Sequence, residues 1–247
     1  LPTTYLCGVN CPANPGAWVL HGVFHKKLRK ERKMKEDGGV TQQRARKIAE
    51  EQAHIAAQSG DEYQELVAEG LLYQSKEDYR RAARTFREAI ALRPDEPLTY
   101  YNLGAVLGNS GHHVEAAQRF LEAKERYPVG SERWAEATAS AFDKLRLNEC
   151  CEVAKPEWWN DEGLKALSAR VVRAAPNDSC ALTMRAAVLS GMGGVAWRAG
   201  PSSAAELKEA AAHFDQAAAL RDSPQVKAQF ASLADRFRSQ ALRGGWA

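Results

Sequence analysis

Residues 63–96 laid over residues 97–130 bring large and small side chains into one register. Leu66 falls on Tyr100, Gly70 on Gly104 and Tyr73 on Leu107. Ala82 falls on Ala116, Phe86 on Phe120, Ala89 on Ala123 and Pro94 on Pro128, every pair being 34 positions apart. A period in the range of about 20–50 residues restricts a chain to stacked architectures, because each unit carries an apolar face that only a neighbour can cover.

The residue types follow from packing. Leu66, Gly70 and Tyr73 are spaced i, i+4, i+7, one face of a first helix, and Ala82, Phe86 and Ala89 repeat that spacing on a second. Small residues at Gly70, Ala82 and Ala89 let the two helices approach to the short end of the usual range of about 8–10 Å. Phe86 fills the space between one helix pair and the next. Pro94 and Pro128 end each pair, since proline cannot continue a helix and restricts the residue before it.

These spacings resemble the tetratricopeptide repeat, a family of helix–turn–helix units stacked into a right-handed superhelix. Residues 63–130 match it closely, departing at Glu69, where the family prefers an aliphatic residue. The resemblance implies an all-α right-handed solenoid. It also implies a non-catalytic scaffold or adaptor that binds a peptide or helix of a partner protein in the groove lined by the first helices. Mapped onto this chain, that surface includes Val67, Leu71, Tyr101, Asn102, Ala105, Asn109, Glu132, Ala135 and Glu136. It is apolar at the centre and acidic on the far side, which suits a segment with apolar anchors and a basic end. One subset of the family clamps the C-terminal carboxylate of heat-shock chaperones with two basic residues and two Asn. Only Asn102 stands at a matching position here; Val67 and Leu71, Glu132 and Glu136 replace the rest. Acidic side chains repel a carboxylate, so no such binding is expected.

Beyond residue 130 the register is interrupted. Trp134 falls 34 residues after Tyr100, and a helix runs from Ser131 to about Leu147 with Ala137 and Ala141 on its face. Its partner is delayed by Asn148–Asp161, which holds Cys150, Cys151, Pro156, Trp158 and Trp159. Glu162–Ala175 then reads as helix. A fourth unit opens with Leu182, Ala186 and Leu189, and its second helix repeats the small–Phe–small pattern as Ala210, Phe214 and Ala217. A Gly-rich insertion, Gly191–Ser203, separates the two. Residues 225–242, with Phe230, Leu233, Phe237 and Leu242, read as a capping helix. Two regular units, two with insertions and a cap are therefore expected over 63–247. Ahead of them come an irregular leader with a basic run over 1–40, ending at a Gly38–Gly39 break, and an N-terminal helix within 41–62. That helix has a stripe of Ala45, Ile48, Ala49, Gln52, Ile55 and Ala56.

Composition agrees with the helical reading: 43 Ala stand against 14 Val and 3 Ile, and strands favour the β-branched residues. Charge is divided unevenly. Residues 1–60 hold ten Lys/Arg and five Asp/Glu, a net of +5, and the remainder 24 and 26, a net of −2. Five cysteines are too few for a disulfide scaffold of this length, and adjacent Cys150 and Cys151 could bond only with strain. Reduced thiols in an intracellular compartment, most simply the cytoplasm, are expected. A nuclear or organellar address stays open because the chain opens on Leu1 and its first Met is Met34. No apolar run approaches the roughly 18–20 residues of a membrane span.

Catalytic chemistry is not evident, and no cofactor is expected apart from a candidate zinc. Gly191–Gly194 lacks the Lys-Ser/Thr of a phosphate loop, and His54, His112, His113 and His213 have no nucleophile at motif spacing. Trp158–Trp159 and Trp197 sit in insertions, where large aromatics either form a binding hot spot or fill gaps between separated helices. The leader holds Cys7-x₃-Cys11-x₉-His21-x₃-His25, ligand types that bind Zn²⁺ tetrahedrally. It partly resembles a two-Cys-two-His zinc finger, but its central span is short and contains Pro12 and Pro15. The basic run of Lys26, Lys27, Arg29, Lys30, Arg32, Lys33 and Lys35 can track nucleic-acid phosphates, act as an import signal or meet an acidic protein. No aromatic is interleaved for base stacking.

Overall fold

A computed structural model describes residues 38–192 and 202–243 of the chain, with side chains from Gln43 onward. Among these residues there are ten α-helices and no strand, and within each unit successive helices pack on one another as in TPR-like helical repeats. They fall into two compact units divided within one helix, after Arg119.

The first unit contains α1 (Gly38–Ser59), α2 (Glu62–Ser75), α3 (Tyr79–Leu92), α4 (Pro97–Asn109) and the start of α5 (His113–Arg126). Their boundaries are written in short polar residues. Asp61 accepts hydrogen bonds from the Tyr63 and Gln64 amides at 3.1 and 3.4 Å, and Asp78 accepts from the Arg81 amide at 3.2 Å. Each satisfies amides that the first turn of a helix leaves free. Pro97 occupies the opening turn of α4, where its missing N–H costs nothing. Phe86, Ala82, Ala89, Leu103 and Val106 are buried, the phenyl ring lying against Gly70. Polar cross-links tie one repeat to the next: Tyr63 Oη and Thr99 Oγ1 share a 2.7 Å hydrogen bond across 36 positions. Arg93 donates to Asp61 at 2.8 Å and lies 4.6 Å over the Tyr63 ring.

The second unit holds the rest of α5, α6 (Glu132–Leu145), a 3₁₀ turn at Asn148–Cys150, α7 (Asp161–Ala174), α8 (Ser179–Leu189), α9 (Ala204–Ala219) and α10 (Pro224–Leu242). One core gathers Trp134, Phe142, Leu164, Val171, Met184 and Val188 from α6, α7 and α8. A second gathers Leu182, Leu189, Leu207, Phe214, Phe230 and Phe237, the Phe214 ring stacking on Phe237 at 5.9 Å. The interruption after α6 is stitched back onto it. Lys155 Nζ donates to the Leu145 carbonyl at 3.0 Å, where α6 ends with an unpaired acceptor, and also to the Cys150 carbonyl. The same ammonium sits 5.4 Å over the Trp159 ring, which lies 5.5 Å from Phe142. Trp158 and Trp159 are half-buried against the first core. They occupy the space opened by the delayed partner helix, as gap-filling aromatics do. Trp197 lies outside the described residues.

Several expectations are corrected in detail. Gly38 and Gly39 belong to α1 rather than to a break before it. Ile55 is 52% exposed, so the packed stripe of α1 is Ala49, Gln52 and Ala56. Leu242, placed on the inner face of the capping helix, is 82% exposed, while Phe230 and Phe237 on that face are buried as expected. α6 ends at Leu145, where Arg146 caps it.

Candidate functional site

The surface anticipated for a partner divides between the two units. In the first, Val67 on α2 and Tyr101 and Ala105 on α4 are partly exposed, and Asn109 at the end of α4 is exposed. Leu71 and Asn102 are buried. Asn102 is the most informative of these. Its side chain is 0% exposed, and neither its Oδ1 nor its Nδ2 has a hydrogen-bond partner. Leaving a buried polar group unpaired costs about 1–3 kcal/mol. Folding alone therefore does not account for an amide at this position, and in this conformation it is covered rather than presented. Gln52 and Gln74, also in this unit, each leave a buried Oε1 unpaired.

In the second unit, Glu132 is exposed on the first turn of α6, Ala135 is buried in the core, and Glu136 is largely enclosed. The Glu136 carboxylate accepts a hydrogen bond from Arg133 Nη1 at 3.0 Å, an i,i−3 pair on the same helix. Burial nevertheless dominates and pushes its pKa up to about 7, against the attraction of Arg133 and assisted by the negative charges of Asp178 and Glu132. Asp178 caps α8, accepting from the Ala181 amide at 2.7 Å, and burial raises its pKa too. Sequence reasoning placed Glu132 and Glu136 on an acidic surface but missed Asp178, 42 positions downstream of Glu136, as their neighbour. Its one local cue was an Asp immediately before a helix, which reads only as a cap.

Among the described residues no three His, Cys, Asp or Glu side chains form a group able to hold a metal ion. His112 Nδ1 is 3.0 Å from Ser110 Oγ in the α4–α5 turn. Cys150 is buried, and burial raises its thiol pKa, whereas Cys151 is exposed. Cys7, Cys11, His21 and His25, and the basic run from Lys26 to Lys35, lie outside the described residues. Among the described residues no helix is long and apolar enough to cross a membrane.

Comparison with known proteins agrees with the repeat geometry. Residues 70–111 match the family model described as TPR repeat, so this stretch is similar to tetratricopeptide repeats. A 60-residue stretch is 37% identical to the peroxisomal targeting signal receptor of Eremothecium gossypii. That stretch covers 24% of this chain and 10% of the receptor.

Proposed function

We propose that this chain is a non-catalytic protein-interaction scaffold that engages a peptide or helical segment of a partner through the inner faces of its repeats. The observation that carries this reading is the repeat itself. Residues 70–111 match a family of protein-binding repeats, and they include the part of α4 that exposes Tyr101, Ala105 and Asn109. The short likeness to a targeting-signal receptor supports recognition of a peptide signal. In the first unit, half-exposed Val67, Tyr101 and Ala105 offer contact area to apolar anchors. In the second, Glu132 and Glu136 favour a basic side chain, and the raised pKa of Glu136 gives that pairing a dependence on pH. A heat-shock chaperone carboxylate tail does not fit this charge.

The test is affinity capture with the full chain and with a Tyr101→Ala, Asn109→Ala variant of unchanged helicity. Loss of the main captured protein supports the α4 face; an unchanged capture profile removes it. The seven-cation run at Lys26–Lys35 favours a second reading, contact with RNA or DNA phosphates. Binding that weakens steeply with salt and disappears when those seven residues are neutralised would establish it.

A further inference from the structure

The second unit divides its charge between two sides of α6. Glu132 and Glu136, four residues apart, share one side, and Trp134, two residues from each, lies on the other. On the Trp134 side, cations stand without counter-charge. Arg170 of α7 lies 5.2 Å over the Trp134 ring, and Lys124 of α5 lies 6.0 Å from the centre of the Trp158 ring. Among the described residues neither forms an ion pair. Lys124 is in the last turn of α5 and Arg170 near the end of α7, where the helix dipole offers only about half a negative charge. Burial lowers the Lys124 pKa; Glu125 opposes that shift and the like charge of Arg170 adds to it. Glu125 is the next residue on the helix, so it faces another way. The nearby aromatics differ from one another. Trp159 belongs to the core, its ring 5.5 Å from Phe142 and its Nε1 buried. Trp158, 5.7 Å from Trp159, and Tyr127 border that core and are only half-buried.

We infer that this side of the second unit is a docking surface for an acidic segment of a partner protein, held by Lys124 and Arg170 and carrying an apolar side chain that lies on Trp158 and Tyr127. Charge complementarity selects this occupant. A carboxylate arriving here supplies the counter-charge that folding leaves out, and the Arg170 guanidinium presents a planar fork matched to it. A basic segment meets only repulsion. The half-buried rings add contact area beside the charges, as aromatic anchors do in protein interfaces. The inner face, with Glu132 and Glu136, prefers the opposite sign, so one unit can hold two dissimilar segments at once. The inference goes beyond the inner-face reading and does not depend on it, because the two share no residue.

Two signatures follow from the chemistry. A carboxylate paired with the Lys124 ammonium favours its charged form, so occupancy raises a lysine pKa that burial depresses in the free chain. Binding also weakens as salt rises, because ion pairs on a partly exposed surface are screened.

The experiment titrates the full chain with synthetic peptides that hold one phenylalanine between glutamates at varied spacing, beside counterparts with glutamine in place of each glutamate. At least one acidic peptide should bind saturably, and its glutamine counterpart on the order of tenfold more weakly. A Lys124→Gln, Arg170→Gln variant should lose a similar factor, while Tyr101→Ala, Asn109→Ala binds that peptide as the wild type does. Failure of every acidic peptide to outbind its counterpart, or equal binding by the Lys124 and Arg170 variant, overturns the proposal. Binding of oligouridine through the same two cations, with no acidic peptide bound, overturns it too and assigns the surface to nucleic acid. If the double variant does not fold, Arg170→Gln alone takes its place, since Arg170 is exposed. The side-chain resonances of Lys124 are then followed against pH in the wild type. A Lys124 pKa that rises on saturation with the peptide supports the docking surface; one that does not move refutes it.

Discussion

Gly70 and Phe86 touch so closely that a Cβ placed on the glycine would lie 2.6 Å from Phe86 Cε1. The ring is fully buried and has nowhere to retreat. Gly70→Ala gains about 1 kcal/mol of helix propensity but overpacks the helix pair by about 1–3 kcal/mol. A net loss of up to about 2 kcal/mol is expected by these terms, read as a lower urea midpoint at unchanged slope. A stabilised variant would show that α2 and α3 can part without cost.

Asp61 holds three partners at once, the Tyr63 and Gln64 amides and the Arg93 guanidinium. Desolvation alone would raise its pKa, but the Arg93 hydrogen bond and the two amides outweigh it and hold the carboxyl below its usual range. A depressed acid contributes stability that is present above its unfolded pKa and lost as pH falls through the folded one. Thermal unfolding between pH 6 and pH 2 should therefore show a steeper acid loss for the wild type than for Asp61→Asn. Superimposable profiles would mean that the carboxylate is bystander rather than cap.

The unpaired amide of Asn102 predicts an unusual sign. Asn102→Leu keeps the side-chain heavy-atom count and removes two buried polar atoms without partners, so the variant should be more stable by about 1–3 kcal/mol, less whatever the bulkier methyls cost in packing. Chemical denaturation decides it. A loss of stability would reveal that an ordered water or a strained contact already satisfies the amide.

Gap-filling by Trp159 makes it a stability residue. Trp159→Ala should lower stability by about 3 kcal/mol, in the range for truncating a large aromatic on a core, and leave partner capture by the folded fraction unchanged. Selective loss of capture with little change in the melting temperature would restore the hot-spot reading of the insertion.

Much of the fold was legible because tetratricopeptide packing uses residue size as its code. Gly70, Ala82, Phe86 and Ala89 are diagnostic at 34-residue spacing because close helix approach tolerates little else. The delay at Asn148–Asn160 was legible as a broken period, and its helix returns at Asp161, one residue from the expected start. Exposure was less legible. Ile55 and Leu242 sit on apolar stripes yet face solvent, because a stripe states what a helix can bury and not whether a neighbour is there. Of the candidate site, the sequence identified the positions Asn102 and Glu136 but not their burial. The charge of Asp178 acts on Glu136 from a position too far along the chain for any local pattern to register.

The attachment of the α6–α7 interruption has a practical side. Lys155 secures that segment through main-chain carbonyls of Leu145 and Cys150, acceptors that every amino acid possesses, while Glu152, Ala154 and Glu157 stand in solvent. The segment is thus anchored at its lysine and tryptophans, with the side chains of Glu152, Ala154 and Glu157 free of packing. That makes it a ready insertion point for an epitope, a fluorophore or a tether, at a place where the helical scaffold already accommodates extra length.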